Sequence, residues 1–138
     1  MFSKVFVLIS LFLLACAKPN YQNVSSGLTD ANRDLSGCAL VLARLSQCVS
    51  LTWIQASTDS QMGIFNLDFS QAVASEVKAV LWMPSMGHGS RPTTVTRLSE
   101  TQFQVSNVAF IMPGEWEIRI QLKENNQVID EVAYKIIY

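Results

Sequence analysis

The sequence predicts an all-β fold, an immunoglobulin-like antiparallel β-sandwich of about seven strands. From residue 49 onward, short runs alternate apolar and polar residues and are separated by polar turns. The clearest is 115–123, in which Trp116 and every second residue to Leu122 is apolar. No segment has the three-to-four-residue apolar spacing of an amphipathic helix, and there is no internal repeat.

The predicted strands are joined by short polar connections, of which Asn125-Asn126 before the last strand is the clearest turn. The tryptophans at 53, 82 and 116 each fall inside a predicted strand, which favours core packing over an exposed binding platform. The run 77–83 is apolar on both faces, as in an internal strand. The predicted strands are 51–54, 63–69, 77–83, 94–98, 102–112, 115–123 and 128–138.

Composition limits the size and the partners of the protein. The chain has 138 residues, of which 49% are hydrophobic and 15% charged, which is material for one modest domain with appendages. The net charge is −1 and the basic residues are scattered singly, so no basic face is available for a polyanion. Nucleic acid is therefore not an expected partner.

The N-terminus has the pattern of an export signal. Lys4 precedes the apolar run 5–14, which is too short for a helix that must have about 20 residues to cross a bilayer. Leu13-Leu14-Ala15-Cys16 resembles the lipobox of bacterial lipoprotein signal peptides. The resemblance implies cleavage after residue 15 and lipidation of Cys16. The alternative is an ordinary secretory peptide in which this cysteine is incidental.

Three segments follow from this interpretation: a signal peptide at 1–15, the lipidated Cys16 with a flexible tether at 16–37, and the sandwich domain at 38–138. The tether is rich in Asn, Ser and Asp, without apolar periodicity, and a coil of this length reaches about 25 Å. The protein is expected to be anchored through lipid in the cell envelope without spanning the membrane. Ala17 after the lipidated cysteine favours the outer membrane, facing the periplasm.

Cys38 and Cys48 remain as a pair once Cys16 is lipidated. An oxidising extracytoplasmic compartment favours a disulfide between them. The segment between them must then turn back, because ten residues span about 15 Å in a helix and over 30 Å in a strand, and it has no Gly or Pro. Free buried thiols and ligation of a soft metal are the two other states that the sequence allows.

Several kinds of chemistry are missing from the sequence. A single histidine excludes a multi-histidine zinc or copper(II) site within one chain, and there is no Cys-x-x-Cys pair. The serines near His88 have no acidic residue nearby to orient a catalytic base, and no nucleophile elbow or phosphate-binding loop is present. We do not expect an enzyme.

The loop 83–90 concentrates soft ligands. Met83, Met86 and His88 lie around two glycines, and Met112 precedes a proline later in the chain. Thioether and imidazole groups together suit Cu(I), and glycine lets the loop curl so that they could converge. The competing interpretation makes Met83 and Met112 core residues, Met86 an exposed loop residue and His88 a structural hydrogen-bond donor.

Two stretches carry a resemblance to a known family. The segments Leu81-Trp-Met-Pro-Ser-Met-Gly-His-Gly-Ser90 and Phe103-Gln-Val-Ser-Asn-Val-Ala-Phe-Ile-Met-Pro-Gly-Glu-Trp-Glu-Ile118 resemble the YtkA-like domain, related to the periplasmic part of FixH-like proteins. The resemblance covers about residues 49–138. It implies a small extracytoplasmic β-sandwich, associated in some members with copper handling and the assembly of copper oxidases. The motif positions are Met83, Met86, His88 and Met112.

Two functions are consistent with these observations. The first is a membrane-anchored lipoprotein that binds Cu(I) through the Met/His loop and delivers it to an oxidase or efflux partner, or buffers it. The second is a metal-free module that binds another envelope protein through the loop around residues 84–92. Cu(I) is the only cofactor that the sequence suggests.

Overall fold

The computed structural model describes residues 38–138, in which nine β-strands and no helix are present. No segment of this described part is a helix long and apolar enough to cross a membrane. The predicted signal peptide, the lipidated Cys16 and the tether lie outside the described residues. The strands are β1 (Leu40–Leu42), β2 (Gln47–Gln55), β3 (Gly63–Phe69), β4 (Glu76–Met83), β5 (His88–Gly89), β6 (Thr94–Arg97), β7 (Gln102–Val108), β8 (Glu115–Glu124) and β9 (Gln127–Ile137).

The strands form two antiparallel sheets that pack as a sandwich. One sheet has the order β1-β2-β3-β7-β6 and the other β5-β4-β8-β9. In immunoglobulin lettering, β2, β3 and β4 are strands A, B and C, β5 is C′, and β6 to β9 are D to G. The first sheet is then β1 followed by A-B-E-D, and the second is C′-C-F-G. The predicted all-β, immunoglobulin-like sandwich is confirmed.

The strand count differs from the expected seven because β1 and β5 were not predicted. Each is only two or three residues long, which is too short to show alternation. The predicted strand 102–112 is also too long, since β7 ends at Val108. Its pairing with β3 shifts register near its end, and Asn107 has a positive φ of 59°, so the chain leaves the sheet before Met112.

The core is formed by the inward faces of the two sheets. Trp116, Ile118 and Ile120 of β8 are fully buried and face residues such as Phe65 and Leu67 of β3. Fully burying a large apolar side chain contributes about 1.5–3 kcal/mol, so the alternation in β8 fixes which face of this strand turns inward.

The first hairpin is held by the opposite sheet. Between β1 and β2 the chain turns through 43–46, where Ser46 adopts a φ of 49°. The amide of Leu45 donates to Asp130 of β9 at 3.0 Å, and the Arg44 guanidinium donates to the carbonyl oxygen of Ile129 at 3.0 Å. The turn therefore forms without Gly or Pro because β9 supplies its hydrogen-bond partners.

This hairpin also brings the two cysteines together. The structure joins Cys38 and Cys48 in a disulfide, with their Cα atoms 5.5 Å apart. The chain between them folds back through the β1–β2 turn, as a disulfide between cysteines ten residues apart requires. The bridge joins Cys48 of β2 to the segment just before β1 of the same sheet, unlike the inter-sheet disulfide of antibody domains.

Candidate metal centre

The candidate site begins as a β-hairpin. Met83, the last residue of β4, lies directly opposite His88, the first residue of β5. The amides of Met86 and Gly87 both donate to the Met83 carbonyl oxygen, at 3.2 and 3.0 Å, and Gly87 has the positive φ of 65° that closes the turn. The expectation that His88 lies in a loop is therefore wrong: it begins a short strand.

The edge of β4 next to this hairpin is covered by the chain that follows β5. The Ser90 amide donates to the Leu81 carbonyl oxygen at 3.1 Å, and the Thr93 hydroxyl donates to that of Ala79 at 2.6 Å. The Ser90 hydroxyl also donates to the carbonyl oxygen of Ala109, beyond the end of β7. These bonds hold β5 in place, although it has only two residues.

Met83 is part of the core. It continues the inward face of β4 and is only 4% exposed. Its terminal methyl lies 2.5 Å from the point that a β-carbon on Gly114 would occupy. Gly114 has a φ of 142° and exchanges two backbone hydrogen bonds with Tyr138, at 2.9 and 3.0 Å. The side chain of Met83 is therefore packed beneath the β7–β8 loop, next to a glycine whose φ other residues rarely adopt.

His88 shares a face with Met83, because directly opposed residues in an antiparallel pair point to the same side of the sheet. Its ring is half-buried and meets the Trp116 indole edge-on, with centroids 6.4 Å apart and planes at 72°. Its Nδ1 lies 3.1 Å from the Gly89 carbonyl oxygen. In the tautomer that donates this bond, Nε2 keeps the lone pair that a metal ligand needs.

Met112 lies in the loop between β7 and β8 and is half-buried against the core. Its carbonyl oxygen accepts a hydrogen bond from Nε1 of Trp116 at 2.9 Å. The ring of Phe110, two residues earlier, contacts the same indole at a centroid distance of 5.6 Å. Trp116 thus holds the segment that carries Met112.

The structure gathers three of the four predicted ligand residues around Trp116. The pairing of β4 with β8 runs to Trp82 and Glu117, which places Met83 at the level of Trp116. Together with the contacts to His88 and Met112, this gives one cluster, which we call the Met/His end: Met83, His88, Met112, Gly114 and Trp116.

Met86 differs from the other three ligand candidates. It lies at the tip of the hairpin and its side chain is 59% exposed. Met62, which lies beside Gly63 and which the sequence suggests is incidental to the ligand set, is 43% exposed in the β2–β3 loop at the same end of the sandwich. Met86 is therefore exposed beside the Met/His end, whereas Met83 is buried within it.

A further bond ties the loops at this end together. The Tyr138 hydroxyl donates to Asp59 of the β2–β3 loop at 2.9 Å. The pKa of the Tyr138 hydroxyl is raised above its ordinary value, mainly by this hydrogen bond and to a smaller extent by desolvation and by the negative charge of Asp59. The end of β9 is thereby linked to the opposite sheet.

The donor set of the Met/His end carries no formal charge while His88 is neutral. Among residues 38–138, no group of three or more His, Cys, Asp or Glu side chains could hold a metal ion. The nearby carboxylates are paired: Glu115 with Lys135 at 3.4 Å, and the buried Glu117 with Arg119 at 2.8 Å. A site of thioethers and one imidazole fits a soft monovalent ion better than Ca²⁺, Mg²⁺ or Zn²⁺.

Gly114 and Trp116 are the site residues that the sequence analysis did not assign. Both belong to the element Phe110-Ile-Met-Pro-Gly-Glu-Trp116, which carried part of the family resemblance. Comparisons of the chain with family models, curated proteins and solved structures found no match.

Replacement of Gly114 tests the backbone of the β7–β8 loop. We expect Gly114→Ala to lower the free energy of unfolding by about 1–3 kcal/mol, chiefly because side chains rarely adopt a φ of 142°; the terminal methyl of the flexible Met83 side chain has only to move aside. Gly87→Ala is the control: its φ of 65° lies in the left-handed helical region and its β-carbon meets nothing within 4 Å, so a smaller loss of about 1 kcal/mol is expected. A loss in denaturant unfolding that is no larger for Gly114→Ala than for Gly87→Ala would contradict this ranking.

Proposed function

We propose that this chain is a membrane-anchored extracytoplasmic lipoprotein whose sandwich domain binds Cu(I) for copper delivery, buffering or oxidase assembly. The observation that carries the proposal is the direct pairing of Met83 with His88 beside the segment that Trp116 holds at Met112. Neither Met86 nor His88 is needed to fill the core, so their position beside a buried thioether supports a binding role.

The roles of the ligands follow from their burial. Met83 would supply a sulfur shielded from water, His88 a nitrogen through Nε2, and Met112 a second sulfur from the opposing loop. Met86, exposed at the hairpin tip, is accessible to an ion or a partner from solution.

The resemblance to YtkA-like domains supports the same proposal. In that family the positions of Met83, Met86, His88 and Met112 form the motif, and some members are associated with copper handling. The partner would be a copper protein of the envelope, and the domain would hold or transfer the ion without catalysing a reaction.

The anchor belongs to the same proposal. Lipidation of Cys16 would place the domain at a membrane surface, with the tether 17–37 allowing a reach of about 25 Å. Residue 17 is alanine, which favours the outer membrane and a domain facing the periplasm. A soft-metal carrier held near the membrane could meet membrane-bound copper proteins without diffusing away.

A titration with Ag(I), a redox-stable substitute for Cu(I), tests the binding proposal. We expect the methyl NMR signals of Met83 and Met112 and the ring signals of His88 to shift on addition of Ag(I). His88→Ala and Met112→Ala should each weaken affinity by at least about tenfold, or 1.4 kcal/mol. Met62→Ala is the control, since this methionine is exposed at the same end of the sandwich but is not one of the proposed ligands.

Unshifted Met and His88 signals would contradict the metal proposal and favour a metal-free interaction module of the envelope. The exposed apolar side chains of Met62, Met86 and Ile111 at this end are the observation in favour of that second function. A partner captured equally well with and without chelator, and by the His88→Ala variant, would identify it.

Cys16→Ser tests the anchor independently of the metal. The variant should incorporate no labelled palmitate and should move from the membrane fraction to the soluble extracytoplasmic fraction, because its acyl chains are lost. Cys38→Ser is the matched control, and it should keep both label and membrane location. Palmitate labelling that persists in the Cys16→Ser variant would contradict the assignment.

A further inference from the structure

We infer that Trp116 is the positioning residue of the Met/His end, holding Met112 through its indole N–H and His88 through its ring edge. The inference rests on the proposed function and adds to it the residue that places two ligands, one from β5 and one from the β7–β8 loop. One rigid side chain thereby couples occupation of the metal site to the packing of the core.

The indole of Trp116 fixes the position of Met112 through a hydrogen bond. Trp116 is fully buried, and its Nε1 donates to the Met112 carbonyl oxygen at 2.9 Å. Met112 lies beyond the end of β7, so no ladder of strand hydrogen bonds fixes its position. The next residue, Pro113, has no N–H, and Gly114 bonds to Tyr138. The indole therefore fixes the loop on the Met112 side, as Tyr138 does on the other.

The indole of Trp116 also contacts the ring of His88. The imidazole and the indole meet at 72° with centroids 6.4 Å apart, an edge-to-face arrangement that limits rotation of His88. The indole also packs against the ring of Phe110. The ring of Phe110 in turn contacts that of Tyr138, with centroids 5.2 Å apart. His88 therefore rests on a surface that is itself fixed by the core.

The other tryptophans do not share this position. Trp53 lies in β2 of the opposite sheet and meets Phe65 edge-on at 5.2 Å. Trp82 lies on the outer face of β4, beneath the guanidinium of Arg119 at 5.1 Å. Trp53 therefore serves as a matched control for a tryptophan-to-phenylalanine change in this domain.

The test compares Ag(I) titrations of the wild type, Trp116→Phe and Trp53→Phe, followed by NMR of the Met methyl groups and the indole N–H groups. Phenylalanine keeps an aromatic ring but removes the donor to Met112. We expect Trp116→Phe to bind Ag(I) about tenfold more weakly, with the Met112 methyl shift reduced more than that of Met83. Trp53→Phe should bind as the wild type does. In the wild type, the Nε1–H signal of Trp116 should shift on binding.

The outcomes separate this inference from the proposed function. If the wild type binds Ag(I) but its Trp116 indole signal does not move, the inference is overturned while the function stands, even if Trp116→Phe fails to fold. Equal affinity and an equal Met112 shift in folded Trp116→Phe would overturn it as well. A wild type that binds no Ag(I) removes both.

Discussion

The indole of Trp116 lies where the core of the sandwich meets the Met/His end. It begins the inward-facing row of β8, and its full burial fixes the face that this strand turns to the opposite sheet. Its N–H satisfies the Met112 carbonyl, and its edge supports the His88 ring. A displacement of this side chain would disturb the strand, the loop and the histidine together, since buried side chains are close-packed.

The sandwich explains how candidate ligand residues far apart in sequence come to the same end of the domain. The turn from β4 to β5 places Met83 and His88 opposite each other, and the β7–β8 loop approaches from the other sheet to bring Met112. Gly114 gives that loop a φ of 142°, which side chains rarely adopt, and it leaves room for the terminal methyl of Met83. Burial increases from exposed Met86 to enclosed Met83, so the proposed ion would lie between solvent and core.

The sequence predicted the features that depend on local pattern. The alternation in 115–123 gave β8, and two adjacent asparagines gave the β8–β9 turn, where Asn125 and Asn126 have positive φ values of 48° and 64°. Features that depend on tertiary contacts were missed. The β1–β2 turn relies on Asp130, 85 residues from Leu45 in the chain, and β5 relies on the bonds of Ser90.

The candidate site was predicted in its residues but not in its arrangement. Residue types and spacing pointed to Met83, Met86, His88 and Met112, because thioethers and an imidazole between glycines are unusual in a strand pattern. The sequence could not show that Met83 packs beneath Gly114, since this contact joins residues far apart in the chain. The bond from Trp116 to Met112 spans only four residues, but it depends on how the β7–β8 loop folds back on the start of β8. Spacing along the chain does not report which side chains meet across a sandwich.

X-ray absorption at the copper edge of the anaerobic, Cu(I)-loaded protein tests most directly whether Met83, His88 and Met112 bind one ion. We expect one nitrogen at about 2.0–2.1 Å and two sulfurs at about 2.3 Å, distances typical of imidazole and sulfur ligands to a metal of this size. The nitrogen contribution should disappear in His88→Ala, and one sulfur in Met112→Ala. A shell of light atoms only, or a spectrum that neither substitution changes, would contradict it.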